Sequence, residues 1–154
     1  MTIGMLEVLL LDARGLQDTD FLGGMDPYVL IQYKNQERKS SVARGEGGSP
    51  VWNEKFTFRV EYPGGEGQYK LVLKIMDKDT FSADDFLGQA SIYLEDLLAL
   101  GVENGKSELH PCKYRVVRTD QTYCGEIRVG INFTPKVKEE KDEIQVGGWK
   151  ESDY

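Results

Sequence analysis

An all-β fold, an eight-stranded antiparallel sandwich, is the architecture this chain predicts, on three observations. Apolar residues fall in short stretches, several at period two; Gly, Pro, Asn or Asp bound those stretches; and a single segment carries helical spacing. In order, strands are expected near Met5–Asp12, Tyr28–Tyr33, Arg38–Val42, Lys55–Val60, Tyr69–Met76, Gly88–Tyr93, Ser107–Val117 and Gly125–Phe133. Eight antiparallel strands suit two packed sheets. Tyr33 to Glu37 reads as a hairpin turn and Pro63 to Gly67 as a loop. The helical candidate is Leu94 to Leu100, with leucines at i, i+3 and i+4 and Gly101 placed to terminate it. Trp52, Phe56 and Phe58 follow Pro50 and are expected to fill the core or cover the base of the loops, with Asn53 bonded to turn backbone.

A chain of 154 residues fits one domain with a core large enough to need no disulfide or structural metal. The expected division is a folded domain over residues 1–135 and a charged, disordered tail over 136–154, where periodicity gives way to Lys, Glu and Asp. Nineteen basic against 26 acidic residues leave a formal charge of −7, which argues against nucleic acid as a partner. A membrane partner requires that field to be reversed locally. Cys112 and Cys124 are too few for a disulfide scaffold, so free thiols in a reducing, cytoplasmic setting are expected. The first eleven residues lack a basic start and carry Glu7, unlike a signal peptide, and no segment approaches the roughly 18 apolar residues of a membrane span. Any membrane contact is therefore expected to be peripheral.

Chemistry concentrates in five aspartates, Asp20 and Asp26 in one cluster and Asp77, Asp79 and Asp85 in another. Carboxylates so crowded repel one another unless a hard, oxygen-seeking cation neutralises them, which points to calcium. Asp77 and Asp79 are two apart where a strand ends, so a β-conformation aims both at one face and adds the Lys78 carbonyl between them. Gly23 and Gly24 give the first loop the freedom to bring Asp20 and Asp26 together. An EF-hand starting at Asp77 fails, because its sixth position is Ser82 rather than Gly and its twelfth Gly88 rather than Glu. Catalysis finds no support: His110 beside Cys112 lacks a third orienting residue, and Gly45 to Gly48 lacks the Lys-Ser/Thr of a phosphate loop. The chain is not expected to be an enzyme.

Three stretches occur in order: Gly24-Met25-Asp26-Pro27-Tyr28-Val29, Ser49 through Phe58 with Pro50-Val51-Trp52-Asn53-Glu54, and Asp77-Lys78-Asp79 through Asp85-Phe86-Leu87-Gly88. Together they resemble a C2 domain over roughly residues 1 to 135. The closing strand and short acidic tail are most similar to small plant single-C2 proteins of the elicitor-responsive type, so a role in defence signalling is implied. The resemblance implies a sandwich of the type II permutation whose loops at one end hold two or three calcium ions and touch phospholipid. It implies Asp20, Asp26, Asp77, Asp79 and Asp85 as side-chain ligands, with main-chain oxygens from Thr19 and Lys78. Asp18 and Asp84 are expected to be surface acids beside them.

Phe21, Leu22 and Phe81 sit in the same loops, and C2 domains that enter membranes place apolar residues at similar positions. Lys34, Arg38, Lys39 and Arg44 lie where some C2 domains carry a phosphoinositide groove, although Glu37, Ser40 and Ser41 interrupt the set. The expected function is calcium-dependent docking of a monomeric cytoplasmic protein on anionic phospholipid, at the plasma membrane or other anionic membranes. The alternative is an adaptor for an unidentified protein partner, in which calcium mainly stabilises the loops.

Overall fold

Alternation in the sequence becomes inward and outward alternation in the computed structural model, which describes residues 1–17, 24–64 and 67–136. The first strand, β1 (Thr2–Arg14), buries Leu6, Val8 and Leu10 and turns Met5, Glu7 and Leu9 to the other side. Its register slips between Leu10 and Asp12 against both neighbours, a bulge that hands the buried parity to Ala13. β2 (Pro27–Tyr33), β3 (Gln36–Lys39), β4 (Val51–Tyr62), β5 (Lys70–Asp77) and β6 (Asp85–Tyr93) follow, then the helix α1 (Glu95–Asn104), β7 (Ser107–Val117) and β8 (Tyr123–Pro135).

The strand order is β3-β2-β5-β6-β7-β8-β1-β4, every pairing antiparallel. Only Gln89 and Val117 pair across β6 and β7, so the order divides there into two four-stranded layers. This is the expected sandwich, in the type II arrangement. Val29, Ile31, Leu71, Leu73 and Ile75 from one layer meet Phe58, Val60, Ile127, Val129, Ile131 and Phe133 from the other in one core cluster. At the open edges, the Gln36 side chain both donates to the Arg59 carbonyl (2.7 Å) and accepts from its N–H (3.0 Å), so β3 closes onto β4 through an amide that imitates a strand.

Several expected boundaries move for identifiable reasons. Gly101 does not end α1, which continues to Asn104; Gly105, at φ 86°, is the left-handed terminator and donates its N–H to the Gly101 carbonyl (2.7 Å). Gly101 is needed where it stands because a Cβ there would lie 2.4 Å from the Phe133 ring and 2.7 Å from Ser107 Oγ. β3 stops at Lys39 rather than running from Arg38 to Val42, because the buried Ser40 hydroxyl accepts the Val29 N–H (2.8 Å) and takes over from the ladder. Asn53 lies inside β4 at φ 52°, a left-handed conformation that Asn tolerates, rather than in a turn. Trp52 and Phe58 are buried and Phe56 packs partly against the core, as expected.

Candidate metal centre

Three neighbouring strands carry the second acidic cluster and the end of the first to one edge of the sandwich. β2 begins beside the end of β5, and β5 ends beside the start of β6, with Pro27 opposite Asp77 and Asp77 opposite Asp85. Asp26, one residue before β2, is tied to the same place from both sides. Its N–H donates to Asp77 Oδ1 (2.9 Å), its carbonyl accepts the Lys78 N–H (3.0 Å), and its Oδ1 accepts the Gly45 N–H (3.1 Å). The two loops that the sequence separates by some fifty positions are thus hydrogen-bonded to each other.

Asp79 lies just past β5 and folds its carboxylate onto its own loop. Oδ1 accepts the Phe81 N–H (3.0 Å) and Oδ2 the Ser82 hydroxyl (2.8 Å), and these two donors hold its carboxyl below the ordinary 3.8. Asp85 is exposed at the first position of β6. Of the expected ligands, Asp26, Asp77, Lys78, Asp79 and Asp85 therefore share one edge; Thr19 and Asp20 lie outside the described residues, as do Asp18, Phe21 and Leu22. Phe81 stands at the tip of the same loop, 96% exposed.

Asp84 is the residue whose role the sequence hid. It is not a solvating surface acid: its side chain is 18% exposed, Oδ1 accepts the Asp79 N–H (3.0 Å) and Oδ2 the hydroxyl of buried Tyr28. Those bonds, the Asp79 N–H foremost, pull its carboxyl below 3.8, while burial and then Asp84 push the Tyr28 phenol up to about 12. Lys78 Nζ stands 4.0 Å away from Asp84. The Asp84-Asp85 doublet was the available signal, since adjacent residues entering a strand face opposite ways and one of the two must turn inward.

The four basic residues proposed for a headgroup do not form one patch. Lys34, at the far hairpin end, donates to the Gly64 carbonyl (3.3 Å) and lies 4.6 Å from the Tyr69 ring. Arg38 covers the Phe58 ring at 5.1 Å, whereas Lys39, next along β3 and so on the opposite face, covers Tyr28 at 4.7 Å. Arg44 is exposed and adjoins Gly45, whose N–H holds Asp26.

In kind the donors fit calcium, being carboxylates and a carbonyl with no soft ligand. In number they fall short of about six to eight oxygens: among the described residues no group of three acidic, His or Cys side chains is placed to hold a metal as it stands. Cys112 is exposed and Cys124 buried, both unlinked, and Cys124 Sγ accepts the Gln17 N–H (3.2 Å). Among the described residues no helix is long and apolar enough to cross a membrane.

Strand order, loop pairing and ordered motifs define an antiparallel sandwich with an acidic loop edge, and known proteins share it. The C2 domain profile matches residues 4–111. The chain is 53% identical over 152 residues to elicitor-responsive protein 1 of Oryza sativa subsp. japonica, covering 97% of this chain and 96% of that protein. It is 49% identical over 153 residues to 16 kDa phloem protein 1 of Arabidopsis thaliana, covering 99% and 98%. A solved structure described as a C2 domain-containing protein superposes with a TM-score of 0.70 at 40% identity, over 90% of this chain and 96% of that one. The chain belongs to the C2 domain family.

Proposed function

We propose that this protein is a small peripheral calcium sensor that docks on anionic phospholipid when calcium rises and stays off the membrane when it falls. One observation carries the reading: the ends of β2, β5 and β6 gather Asp26, Asp77 and Asp85 at a single edge, beside a phenylalanine that is almost wholly exposed. Asp20, Asp26, Asp77, Asp79 and Asp85, with the carbonyls of Thr19 and Lys78, are the ligand set for two or three ions. Calcium, when bound, supplies positive charge and open coordination positions for lipid phosphate. Asp79 leaves Ser82 to join the set, and Asp84 keeps the loop backbone in place through the Asp79 N–H. Phe81, with Phe21 and Leu22, enters the interface, while Lys39 and Arg44 meet headgroups beside the loops.

The domain carrying this activity is residues 1–135, with 136–154 a separate tail, and no catalytic step is assigned to either. The protein works in the cytoplasm as a monomer and is recruited to anionic membranes. Because membrane favours the calcium-loaded form, calcium affinity rises in the presence of vesicles by the same factor. Cosedimentation with phosphatidylserine vesicles across calcium concentrations tests the switch, with Asp77→Asn plus Asp79→Asn alongside the native chain. The native protein pellets in calcium and not in chelator, and the variant fails in both. Equal pelleting of the two removes the switch, and calcium-independent capture of one protein instead favours an adaptor.

A further inference from the structure

Where the two sheets meet beside the metal loops they touch once and then part. Gly88 permits the contact: a Cβ there would sit 2.6 Å from Val116 Cγ1 and 3.1 Å from the Val117 carbonyl oxygen. Past the Gln89–Val117 pair β6 and β7 form no further bridge, and a cleft of about 680 Å³ opens between them. Phe86, Gln89 and Ser91 line one wall; Arg115, Arg118 and Tyr123 line the other.

The cleft carries two arginines in a chain of net −7. Arg115 and Arg118 take part in none of the ion pairs among the described residues, whereas Arg59, Lys113 and Arg128 each hold a carboxylate. Two acids in their neighbourhood carry bonds of their own. Glu126, opposite Arg115, pairs with Lys113 at 3.5 Å; Asp120, whose Oδ1 accepts both the N–H and the hydroxyl of Thr122, also feels the charge of Arg118 without pairing with it. Arg115 lies 4.8 Å over the Tyr123 ring, and Arg118 donates to Gln17 Oε1 (3.0 Å). Phe86 and Tyr123, 39% and 64% exposed, put apolar surface beside the two guanidinium groups.

We propose that this cleft is a second lipid subsite, taking the phosphodiester headgroup of an anionic phospholipid between Arg115 and Arg118 while Phe86 and Tyr123 meet its glycerol and upper acyl chain. The inference rests on the membrane reading of the aspartate loops. Guanidinium groups suit a phosphate's paired oxygens, and amphipathic aromatics suit the boundary between headgroup and hydrocarbon. Lipid rather than an acidic peptide is the occupant because the cleft is continuous with the metal edge. Phe86 follows Asp85 directly, and Arg118 reaches back to Gln17 where the first loop departs.

The test uses the full chain and Arg115→Gln with Arg118→Gln, both at saturating calcium, on vesicles of equimolar phosphatidylserine and phosphatidylcholine. Partition is expected to fall about thirtyfold, from roughly a fivefold loss per surface arginine, with calcium binding in lipid-free solution unchanged. Partition equal to that of the native chain overturns the subsite while leaving the aspartate switch intact. A native chain that does not pellet in calcium marks failure of the membrane reading instead. Where partition falls, or where the native chain does not pellet, dihexanoyl-phosphatidylserine, kept monomeric, is titrated while the amide resonances of Gln89, Ser91 and Arg115 are followed. Saturable shifts that the double variant loses support the subsite. No shifts, or equal shifts with inorganic phosphate, overturn it.

Discussion

Replacing Phe81 by Ala separates membrane affinity from everything else the loop does. The ring is 96% exposed, so its removal opens no cavity, and the Phe81 N–H that bonds Asp79 Oδ1 survives in alanine. Folding stability should therefore change by less than about 0.5 kcal/mol, and calcium binding in lipid-free solution should be unaltered. On a membrane the same ring leaves water. Full burial of a phenylalanine side chain contributes about 1.5–3 kcal/mol, and the lower end suits a ring resting at the headgroup boundary. About 1.5 kcal/mol corresponds to roughly a tenfold loss of vesicle partition. Cosedimentation at saturating calcium reads the partition, and calorimetric calcium titration without lipid reads the control. A partition coefficient within about twofold of native would refute insertion of this loop, since a tenfold effect cannot hide in that margin. Adding Phe21→Ala should deepen the loss.

Tyr28→Phe removes the hydroxyl that anchors Asp84, which in turn holds the Asp79 N–H; calcium affinity should fall about tenfold, as for other partners that orient ligands, with an unchanged circular dichroism spectrum. Gly101→Ala forces a methyl against the buried Phe133 ring, so despite the gain in helix propensity urea unfolding should report a net loss of about 1–3 kcal/mol. In chelator, stability should fall on acidification below about pH 4. Asp79, Asp84 and Asp120 all have folded-state values below 3.8, so the unfolded chain binds more protons there and the stability they contribute above that value is lost as pH drops through it. Thr122→Val, which removes the strongest bond to Asp120, should make that fall shallower in urea midpoints measured along the acid limb.

What the sequence revealed and what it hid divide along the range of the interactions involved. Alternation at Leu6, Val8 and Leu10 is a property of one strand, and period two alone predicts which side chains enter the core. That a strand ends beside Asp77 was legible for the same reason. Gly101 was misread because a glycine after leucines at helical spacing satisfies the local rule for a terminator. The Phe133 ring that requires it comes from the last strand, and no window around the helix contains it. Asp84 depends likewise on Tyr28, a residue of a different strand whose hydroxyl finds it only after β2 and β5 have paired. The basic set shows local information of another kind. Strand alternation separates Arg38 from Lys39, which cover Phe58 and Tyr28 on opposite faces.

The position of Asp84 also bears on how the metal edge would acquire affinity for an anionic surface under the proposed function. With two ions the five expected ligands retain one negative charge; with three they gain one positive charge. Counting Asp84 among the repelling acids would make the first case worse, but its charge is met locally by the Tyr28 hydroxyl, the Asp79 N–H and Lys78 Nζ at 4.0 Å. With calcium bound as proposed, a lipid would therefore face an edge near neutrality, and near neutrality small increments decide the sign. Lys39 and Arg44 on one flank and Arg115 and Arg118 on the other would supply such increments without touching the metal, each worth about 1 kcal/mol at an anionic surface at moderate salt. It follows that added salt should weaken vesicle binding of the native chain more than that of Arg115→Gln with Arg118→Gln. Identical salt dependence in the two proteins would mean that the ions alone reverse the field.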